Sequence, residues 1–230
     1  MKSYDIVIPL GEGSQHEDRE LRYCLRSIVK YYPEHGDIYI IGRRPSWLKN
    51  TCFIRAIDTP GMEHKESNIK NKILLAQSKE FIFFNDDHFL TKPLKKLPYY
   101  HMGTLEDTIK KRSGHDHYYH SLKNTADLFH GGLNFDVHCP IIYNYDKFKE
   151  IVNSFPWNVY GYVIKSLYSN SLGITGEQIE DLKINQSLNC FQIEKLIGDR
   201  PFFSIGDKSI NADMFTYLQY LYPLKSEFEK

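Results

Sequence analysis

The 230-residue sequence predicts an α/β protein with a mostly parallel sheet, helices on both faces of the sheet, an irregular insertion and a helical C-terminal part. Three observations lead to this prediction: strand-like runs alternate with helical runs over residues 4–90, the pattern breaks over 91–135, and helical patterns follow. Strands that alternate with helices form parallel sheets covered on both faces, because each helix packs back on the sheet. We expect one domain, since a single core grows to roughly 250 residues before it splits.

The first half of the chain supplies the alternating elements. Its strands are short β-branched or aromatic runs such as "YDIVIPL", and its helices carry apolar residues three and four positions apart, as in "ELRYCLRSIVKYY", which ends before Pro33. The predicted strands are 4–10, 37–42, 51–58 and 80–84, and the predicted helices are 20–32 and 66–79.

The second half begins with the insertion over residues 91–135. Pro93, Pro98 and several glycines interrupt any period there, and the segment holds five of the ten histidines. After it, "CPIIYNYDKFKEIVNSF" (139–155) predicts a short strand and a helix. "GEQIEDLKINQSL" (176–188) and "MFTYLQYLY" (214–222) each predict a helix.

Composition excludes some classes of protein. Lysine plus arginine equals aspartate plus glutamate at 29 each, so net charge favours neither nucleic acid nor an anionic membrane. The four cysteines are widely spaced without a C-x-x-C pair, which argues against a zinc ribbon or a disulfide scaffold and favours a reducing compartment. The sequence has neither a secretion signal nor a membrane span, so we expect a cytoplasmic protein.

The fourth predicted strand ends in an acidic stretch. "EFIFF" is followed directly by Asn85, Asp86, Asp87 and His88. Two carboxylates at the end of a buried strand are costly unless a cation meets them. Mg²⁺ and Mn²⁺ take carboxylate oxygens together with water and phosphate oxygens. The stretch therefore predicts a divalent-metal site that holds a diphosphate, and a simple turn cap is the alternative.

A glycine-containing loop follows the first strand. Ligands of open parallel sheets bind at the carboxyl ends of the strands, so Gly11, Gly13 and Ser14 in "GEGSQHEDRE" are candidate donor-binding residues. The loop has the spacing of neither a P-loop nor a dinucleotide fingerprint, and a plain flexible connection is the alternative.

An acidic motif after a hydrophobic strand of an α/β half-domain resembles the GT-A nucleotide-sugar transferases. The resemblance lies in the position and role of the motif, because "NDDH" is not a strict D-x-D. It implies a metal held first by Asp87 and then by Asp86. It also implies one GT-A-like domain (1–230) with a nucleotide-sugar-binding half (1–90), a loop insertion (91–135) and an acceptor-side half (136–230).

Several segments together resemble the Stealth proteins, which are hexose-1-phosphate transferases of capsule synthesis and of lysosomal-enzyme tagging. "ELRYCLRSIVKYYPEHGDIYIIGRRPSWL" with "FIFFNDDHFL" is similar to the second conserved region of that family, "DVHCP" to its histidine-proline element, and "SINADMFTYLQYLYPLKSEFE" to its closing region. The resemblance implies that His138 is catalytic or binds the metal, with Asp136 as orienting group or acceptor base. The family's acidic run after the first strand is replaced by "IPLGEGS".

Four further polar residues are candidates for donor binding. Arg43 follows the second strand, and Asn68 and Lys72 share a helix face by their i, i+4 spacing. Arg200 offers a bidentate fork for a phosphate. Surface solvation is the alternative for both arginines.

Histidines in the insertion suggest two alternatives, a zinc site or an acceptor-binding lid. Their spacing is not a tetrahedral ligand set, so the lid is favoured. The residues are His101, His115, His117, His120 and His130.

These observations predict a glycosyltransferase that uses Mn²⁺ or Mg²⁺ to move a sugar from a nucleotide diphosphate sugar to an acceptor hydroxyl. The acceptor is expected to be a saccharide, with a modified nucleic acid as the alternative. The second hypothesis is a Stealth-like sugar-1-phosphate transferase that releases a nucleoside monophosphate, ranked lower because the acidic run is absent. The third is a binding module that grips a saccharide or nucleotide without turnover.

Overall fold

The computed structural model describes residues 3–12, 14, 16–157 and 159–230. The strands of this part are β1 (Asp5–Leu10), β2 (Ile38–Gly42), β3 (Cys52–Arg55), β4 (Glu80–Phe83), β5 (His88–Leu90), β6 (Tyr100–His101), β7 (Ile141–Asn144), β8 (Glu177–Gln178), β9 (Lys183–Ile184) and β10 (Phe202–Ile205). The helices are α1 (Arg19–Tyr31), α2 (Lys65–Ala76), α3 (Leu105–Lys110), α4 (His117–Leu128), α5 (Tyr145–Asn153), α6 (Ile164–Ser171), α7 (Cys190–Ile197) and α8 (Ala212–Leu221). None of these helices combines the length and the apolar composition needed to cross a bilayer.

The main sheet of the described chain has the strand order β3-β2-β1-β4-β7. β1 runs parallel to β2 and β4, β2 runs parallel to β3, and β7 alone is antiparallel, pairing with β4. This arrangement confirms the mostly parallel sheet that the sequence predicts. Because parallel strands end at the same edge, the segments that follow β1, β3 and β4 meet there.

Helices cover both faces of this sheet. Along β1, Ile8 faces a cluster that includes α1, α7 and α8, and Val7 faces a second cluster that includes α2, α5 and α6. Both side chains are fully buried, which explains why the strand reads as a continuous apolar run. Each such side chain contributes about 1.5–3 kcal/mol of burial free energy. Helices on both faces are therefore confirmed.

One predicted helix is wrong. Residues 176–188 form β8, β9 and irregular backbone. Leu182 and Ile184 are buried two positions apart, as in a strand, and Ile184 lies opposite Ile205 in the pairing of β9 with β10. The helix starts later, as α7, because the side chain of Asn189 accepts a hydrogen bond from the backbone of Gln192 and Gln192 reciprocates.

The insertion is more regular than the sequence suggests. It contains α3 and α4, which pack on each other through a small buried cluster around Leu105 and Leu122. The side chain of Thr104 accepts from Asp107 N and caps α3, and the side chain of Asp116 accepts from Tyr119 N and caps α4. These caps are the start signals that sequence reasoning missed.

The C-terminal segment returns to α1. Arg26 donates to both carboxylate oxygens of Glu229, at 2.8 and 2.7 Å, and both side chains are buried. Lys230 N donates to Trp47 O at 2.9 Å, so the end of the segment is also tied to the loop after β2. β5, β10 and β9 form a second sheet beside this region.

Candidate active site

A cleft of about 840 Å³ lies at the carboxyl edge of the main sheet. The loops after β1, β3 and β4 form its walls, and the start of α4 in the insertion also lines it. Seven of the sequence-predicted site residues line it together: Gly11, Asn68, Lys72, Asp86, Asp87, Asp136 and His138. The structure thus gathers both acidic candidates and the histidine in one place.

Three predicted donor-binding residues lie elsewhere. Ser14 Oγ accepts from Asp18 N at 3.0 Å and shapes the turn before α1. Arg43 forms an ion pair with Asp18 at 2.5 Å, and Arg200 lies 3.3 Å from the exposed Glu180. Gly13, the remaining candidate of this group, lies outside the described residues.

Asn68 and Lys72 build the wall of the cleft. Asn68 exchanges two hydrogen bonds with the backbone of Thr59, at 3.0 and 2.9 Å, which fixes the loop after β3. The Lys72 ammonium is buried and donates to Leu10 O at 2.9 Å and to the carboxylate of Asp58 at 2.8 Å. These two hydrogen bonds join the ends of β1 and β3. The charge of Lys72 is already compensated by Asp58.

The acidic loop after β4 has a carboxylate oxygen that accepts no hydrogen bond from the described residues. Asp87 Oδ2 accepts from Ser204 Oγ at 3.0 Å and from Lys183 Nζ at 3.2 Å. Asp87 Oδ1 is buried and has no hydrogen-bond partner in the part of the chain that the structure describes, and His88 Nε2 lies 3.8 Å from it, beyond hydrogen-bond distance. At the back of the loop, Cys24 Sγ donates to Asn85 O at 3.6 Å. A buried, unpartnered carboxylate oxygen costs free energy that a bound cation would offset.

The two aspartates differ in charge state. Burial raises the pKa of Asp86 to about 7, and the neighbouring negative charges of Asp87 and Glu20 add to the effect. Burial also opposes ionisation of Asp87, but Lys183 and two histidines outweigh it and lower the pKa of Asp87 to about 2. At neutral pH Asp87 is therefore an anion, and Asp86 is partly protonated and would release its proton to a cation.

This donor set fits a hard divalent cation in part. The free oxygen of Asp87 and the carboxylate of Asp86 are ligands that Mg²⁺ and Mn²⁺ accept. Within the described ranges, no group of three or more histidine, cysteine or acidic side chains is arranged to hold a metal by itself. A metal here would take its other ligands from phosphate oxygens and water.

His138 is fixed by a carboxylate that sequence reasoning missed. Asp181 accepts from the His138 backbone N–H at 2.8 Å and from the ring nitrogen Nδ1 at 2.6 Å. The hydrogen-bond pattern assigns the proton to Nδ1, which leaves Nε2 as an acceptor. Burial opposes ionisation of Asp181, but the hydrogen bond and charge of His138 lower its pKa. The pair has the arrangement of a general base and its orienting group.

A buried lysine holds the backbone around this histidine. Lys165 Nζ donates to Val137 O at 2.7 Å and to Cys139 O at 2.8 Å, the carbonyls on either side of His138. Lys165 also lines the cleft. The histidine is thus restrained through its ring, its own N–H and both neighbouring carbonyls.

A second pair of carboxyl groups lines the cleft beside α6. Burial raises the pKa of Glu66 from 4.5 to about 8, and the charge of Asp136 adds to the shift. Glu66 accepts from Ile164 N at the start of α6, and Asp136 is hydrogen-bonded to the hydroxyl of Tyr118. Sequence reasoning named Asp136 and missed Glu66, which is a lone acidic residue in the first turn of a helix.

The insertion histidines do not form one site. His117 lines the cleft, His101 packs against Phe135, and His120 stacks on Tyr160 with ring centroids 4.4 Å apart. The described residues therefore give no support to the zinc alternative.

Comparison by sequence finds capsule enzymes. No family model matches the chain. The chain is 26% identical over 182 residues to the capsular polysaccharide phosphotransferase fcs1 of Haemophilus influenzae, covering 67% of this chain and 49% of that protein. It is 23% identical over 177 residues to the capsular polysaccharide phosphotransferase LcbA of Aeromonas hydrophila, covering 68% and 49%. The chain spans about half the length of these curated relatives.

Comparison by structure finds glycosyltransferases. The galactosyltransferase LgtC in complex with donor and acceptor sugar analogues matches with a TM-score of 0.51 and 12% identity, over 97% of this chain and 98% of that chain. An active-site mutant of LgtC matches with a TM-score of 0.50 over the same shares. These matches confirm the GT-A-like fold. The two phosphotransferases bear out the expected resemblance, and all the proteins named in these comparisons are transferases, the class of enzyme expected from the sequence.

Proposed function

We propose that this chain transfers a sugar 1-phosphate from a nucleotide diphosphate sugar to an acceptor hydroxyl and releases a nucleoside monophosphate. One observation carries the proposal: His138, which Asp181 holds, lines the same cleft as Asp87 and Lys183. A base beside the residues that would hold phosphate suits attack at phosphorus. The names of the curated relatives, which are phosphotransferases, support the same reaction.

The cleft offers a place for each part of the donor. The loops after β1 and β3, with Gly11 and Thr59, would hold the nucleoside at the wall that Asn68 and Lys72 build. The diphosphate would lie at the acidic loop, where Lys183 supplies a cation beside Asp87. The sugar would lie toward Glu66 and Asp136. This order follows from the chemistry of the lining side chains.

A divalent metal would be held by Asp87 and Asp86. It would neutralise negative charge on the phosphate oxygens of the donor. The support for it is the buried, unpartnered Oδ1 of Asp87. Lys183 would add its own charge at the same phosphates.

The proposed step uses His138 as general base. The acceptor oxygen attacks the phosphorus that carries the sugar, a new O–P bond forms, and the bond from that phosphorus to the bridging oxygen breaks. The nucleoside monophosphate leaves with the bridging oxygen, and the proton of the acceptor hydroxyl moves to His138 Nε2. The Asp181 carboxylate would stabilise the resulting imidazolium, and Asp136 is the alternative base.

Simple glycosyl transfer is the second candidate. It is favoured by the structural likeness to a galactosyltransferase, although that likeness bears on the fold alone. The acceptor would then attack the anomeric carbon, and a nucleoside diphosphate would leave. The same groups would serve both reactions.

The test is the identity of the released nucleotide. The protein is incubated with Mn²⁺ or Mg²⁺, a panel of nucleotide diphosphate sugars and a panel of hexosides, and the products are separated by anion exchange. Monophosphate release that His138→Ala abolishes supports the proposal, whereas diphosphate release supports glycosyl transfer. Donor binding without release of either nucleotide would instead favour a binding module.

A further inference from the structure

A second cavity, which we call the side groove, lies next to the cleft and has a volume of about 660 Å³. One wall comes from the residue after β6 and from the second half of α3 with the two residues that follow it. The other wall comes from the end of β8 and the residues after it, within the stretch that was predicted as a helix. Its lining residues are Met102, Thr108, Lys111, Arg112 and the segment 178–181. A volume of this size is in the range of ligand pockets.

The side groove meets the cleft at the proposed base. Arg112 lines both cavities. Asp181 lines the side groove, and its carboxylate holds His138, which lines the cleft. A molecule in the side groove would therefore lie next to the residue that holds His138.

At this junction one N–H group of Arg112 lacks an acceptor among the described residues. Its Nη2 donates to Asp116 at 2.7 Å, and the guanidinium lies 4.8 Å from the centre of the Tyr118 ring. Its Nε is buried and has no hydrogen-bond partner. A buried N–H without an acceptor is costly, so this group points to a ligand that supplies an oxygen there.

All but one of the charged side chains that line the side groove form ion pairs. Arg112 is paired with Asp116, Asp181 with His138, and Glu180 with Arg200 at 3.3 Å. Lys111 is the one cation of this lining without an ion pair to another described residue. A nucleic acid strand needs several uncompensated cations along its phosphates and aromatic rings for its bases, and no aromatic side chain is among the described residues that line the groove.

The remaining lining suits a neutral, hydroxyl-rich ligand. Met102 and Ile179 offer apolar surface for the C–H face of a pyranose ring, and Thr108 and Gln178 offer hydrogen-bonding groups. We propose that the side groove is the acceptor subsite and that the acceptor is an uncharged saccharide whose free hydroxyl reaches His138. This inference rests on the proposed function.

The test measures saccharide binding directly. Saturation-transfer NMR is recorded with methyl hexosides and hexose disaccharides, and calorimetry with nucleoside diphosphates measures the donor side separately. Lys111→Ala is expected to weaken saccharide binding about fivefold, the loss of one hydrogen bond, and Gln178→Ala to do the same. The control is Lys110→Ala, which removes the same charge from the neighbouring position of α3, outside the groove lining.

The outcomes separate this inference from the proposed function. Weaker saccharide binding in Lys111→Ala and Gln178→Ala, with unchanged binding in Lys110→Ala and unchanged nucleotide affinity in all three, supports the acceptor subsite. Equal saccharide binding by every variant, or nucleotide binding without any saccharide binding, overturns it and leaves the proposed function standing. Binding of short oligonucleotides that falls steeply with salt overturns the acceptor class. Loss of all nucleotide binding in the wild type overturns the proposed function itself.

Discussion

His138 is the residue on which the proposed chemistry depends most directly. The variant His138→Ala is expected to lower kcat by a factor on the order of 10²–10⁴, because a general base contributes about that much. Donor affinity should stay unchanged, since the nucleoside loops are not altered. Steady-state kinetics together with donor calorimetry make the measurement, and His130→Ala, at an exposed position, is the control. Full activity in His138→Ala would remove this residue from the mechanism.

Asp181 is expected to act through His138. Asp181→Asn keeps an acceptor oxygen for the His138 N–H but removes the negative charge beside the ring. We expect kcat to fall at least about tenfold with little change in the KM for donor, because the charge stabilises the protonated imidazole that forms in the step. An equal loss of donor affinity and kcat would indicate that Asp181 has only a structural role.

Glu66 makes stability depend on pH. Its pKa in the folded chain is about 8, above the ordinary value of 4.5, so the folded state keeps a proton that the unfolded state loses. The stability that protonated Glu66 contributes is therefore fully present below about pH 4.5 and is lost progressively as pH rises to about 8. Glu66→Gln should flatten this loss, and its Tm near pH 8 should exceed that of the wild type by a few degrees, at roughly 2–4 °C per kcal/mol.

The measurement for Glu66 is a series of thermal melts between pH 5 and 9. Glu150→Gln is the matched control, because Glu150 is exposed on α5. Glutamine keeps an oxygen that can accept from Ile164 N, so the variant preserves the contact with α6. Parallel curves for Glu66→Gln and the wild type would refute the assigned protonation state.

The sequence identified those residues of the candidate site that belong to a motif. Asp86, Asp87, Asp136 and His138 were named from the end of a strand and from short motifs, and they line one cleft. The partners that decide their properties were missed, because each is a lone polar residue whose role exists only in the fold. These residues are Glu66, Lys165, Asp181 and Lys183.

The start of α7 is determined by a local signal, the capping box of Asn189 and Gln192. Asn189→Ala removes the side-chain oxygen that accepts from Gln192 N in the capping box, and it is expected to lower the free energy of unfolding by about 1 kcal/mol. Chemical denaturation measures the change, with Asn153→Ala at an exposed helix end as control. An unchanged midpoint for Asn189→Ala would show that packing of α7 on α8 determines the boundary without the cap.

The misplaced helix has a tertiary cause. "GEQIEDLKINQSL" has helix-favouring composition, but Leu182 and Ile184 become buried beside β10, and Asp181 turns to His138. Pairing with a strand about twenty residues later overrides the weak local preference. In contrast, β1 and α1 were located correctly because their periodicity and their burial agree.

The buried ion pair between Arg26 of α1 and Glu229 of the C-terminal segment holds parts of the chain together that are far apart in sequence. Glu229→Ala is expected to lower the free energy of unfolding by about 3 kcal/mol, because it leaves Arg26 buried without its carboxylate. Urea denaturation is the measurement, and Glu227→Ala, an exposed neighbour, is the control. Equal midpoints for the two variants would contradict the role of the pair.

The architecture of the main sheet could be predicted because strands and helices alternate with clear periods. The second sheet could not, since it joins residues far apart in sequence, such as Phe89 opposite Phe203, through strands of a few residues each. That sheet carries Ser204 and Lys183 to the acidic loop. The missed part of the fold therefore supplies the missed part of the candidate site.

Because Cys24 contacts the acidic loop, the reactivity of its thiol is a measure of how often that loop opens. The thiol is buried, and burial together with the charges of Asp86 and Asp87 raises its pKa, so alkylation requires the loop to open. Cys52 is exposed and would react first, which provides an internal reference. The ratio of the two alkylation rates thus reports how often the loop opens, and ligands that close the cleft would lengthen the lifetime of the Cys24 thiol without any measurement of turnover.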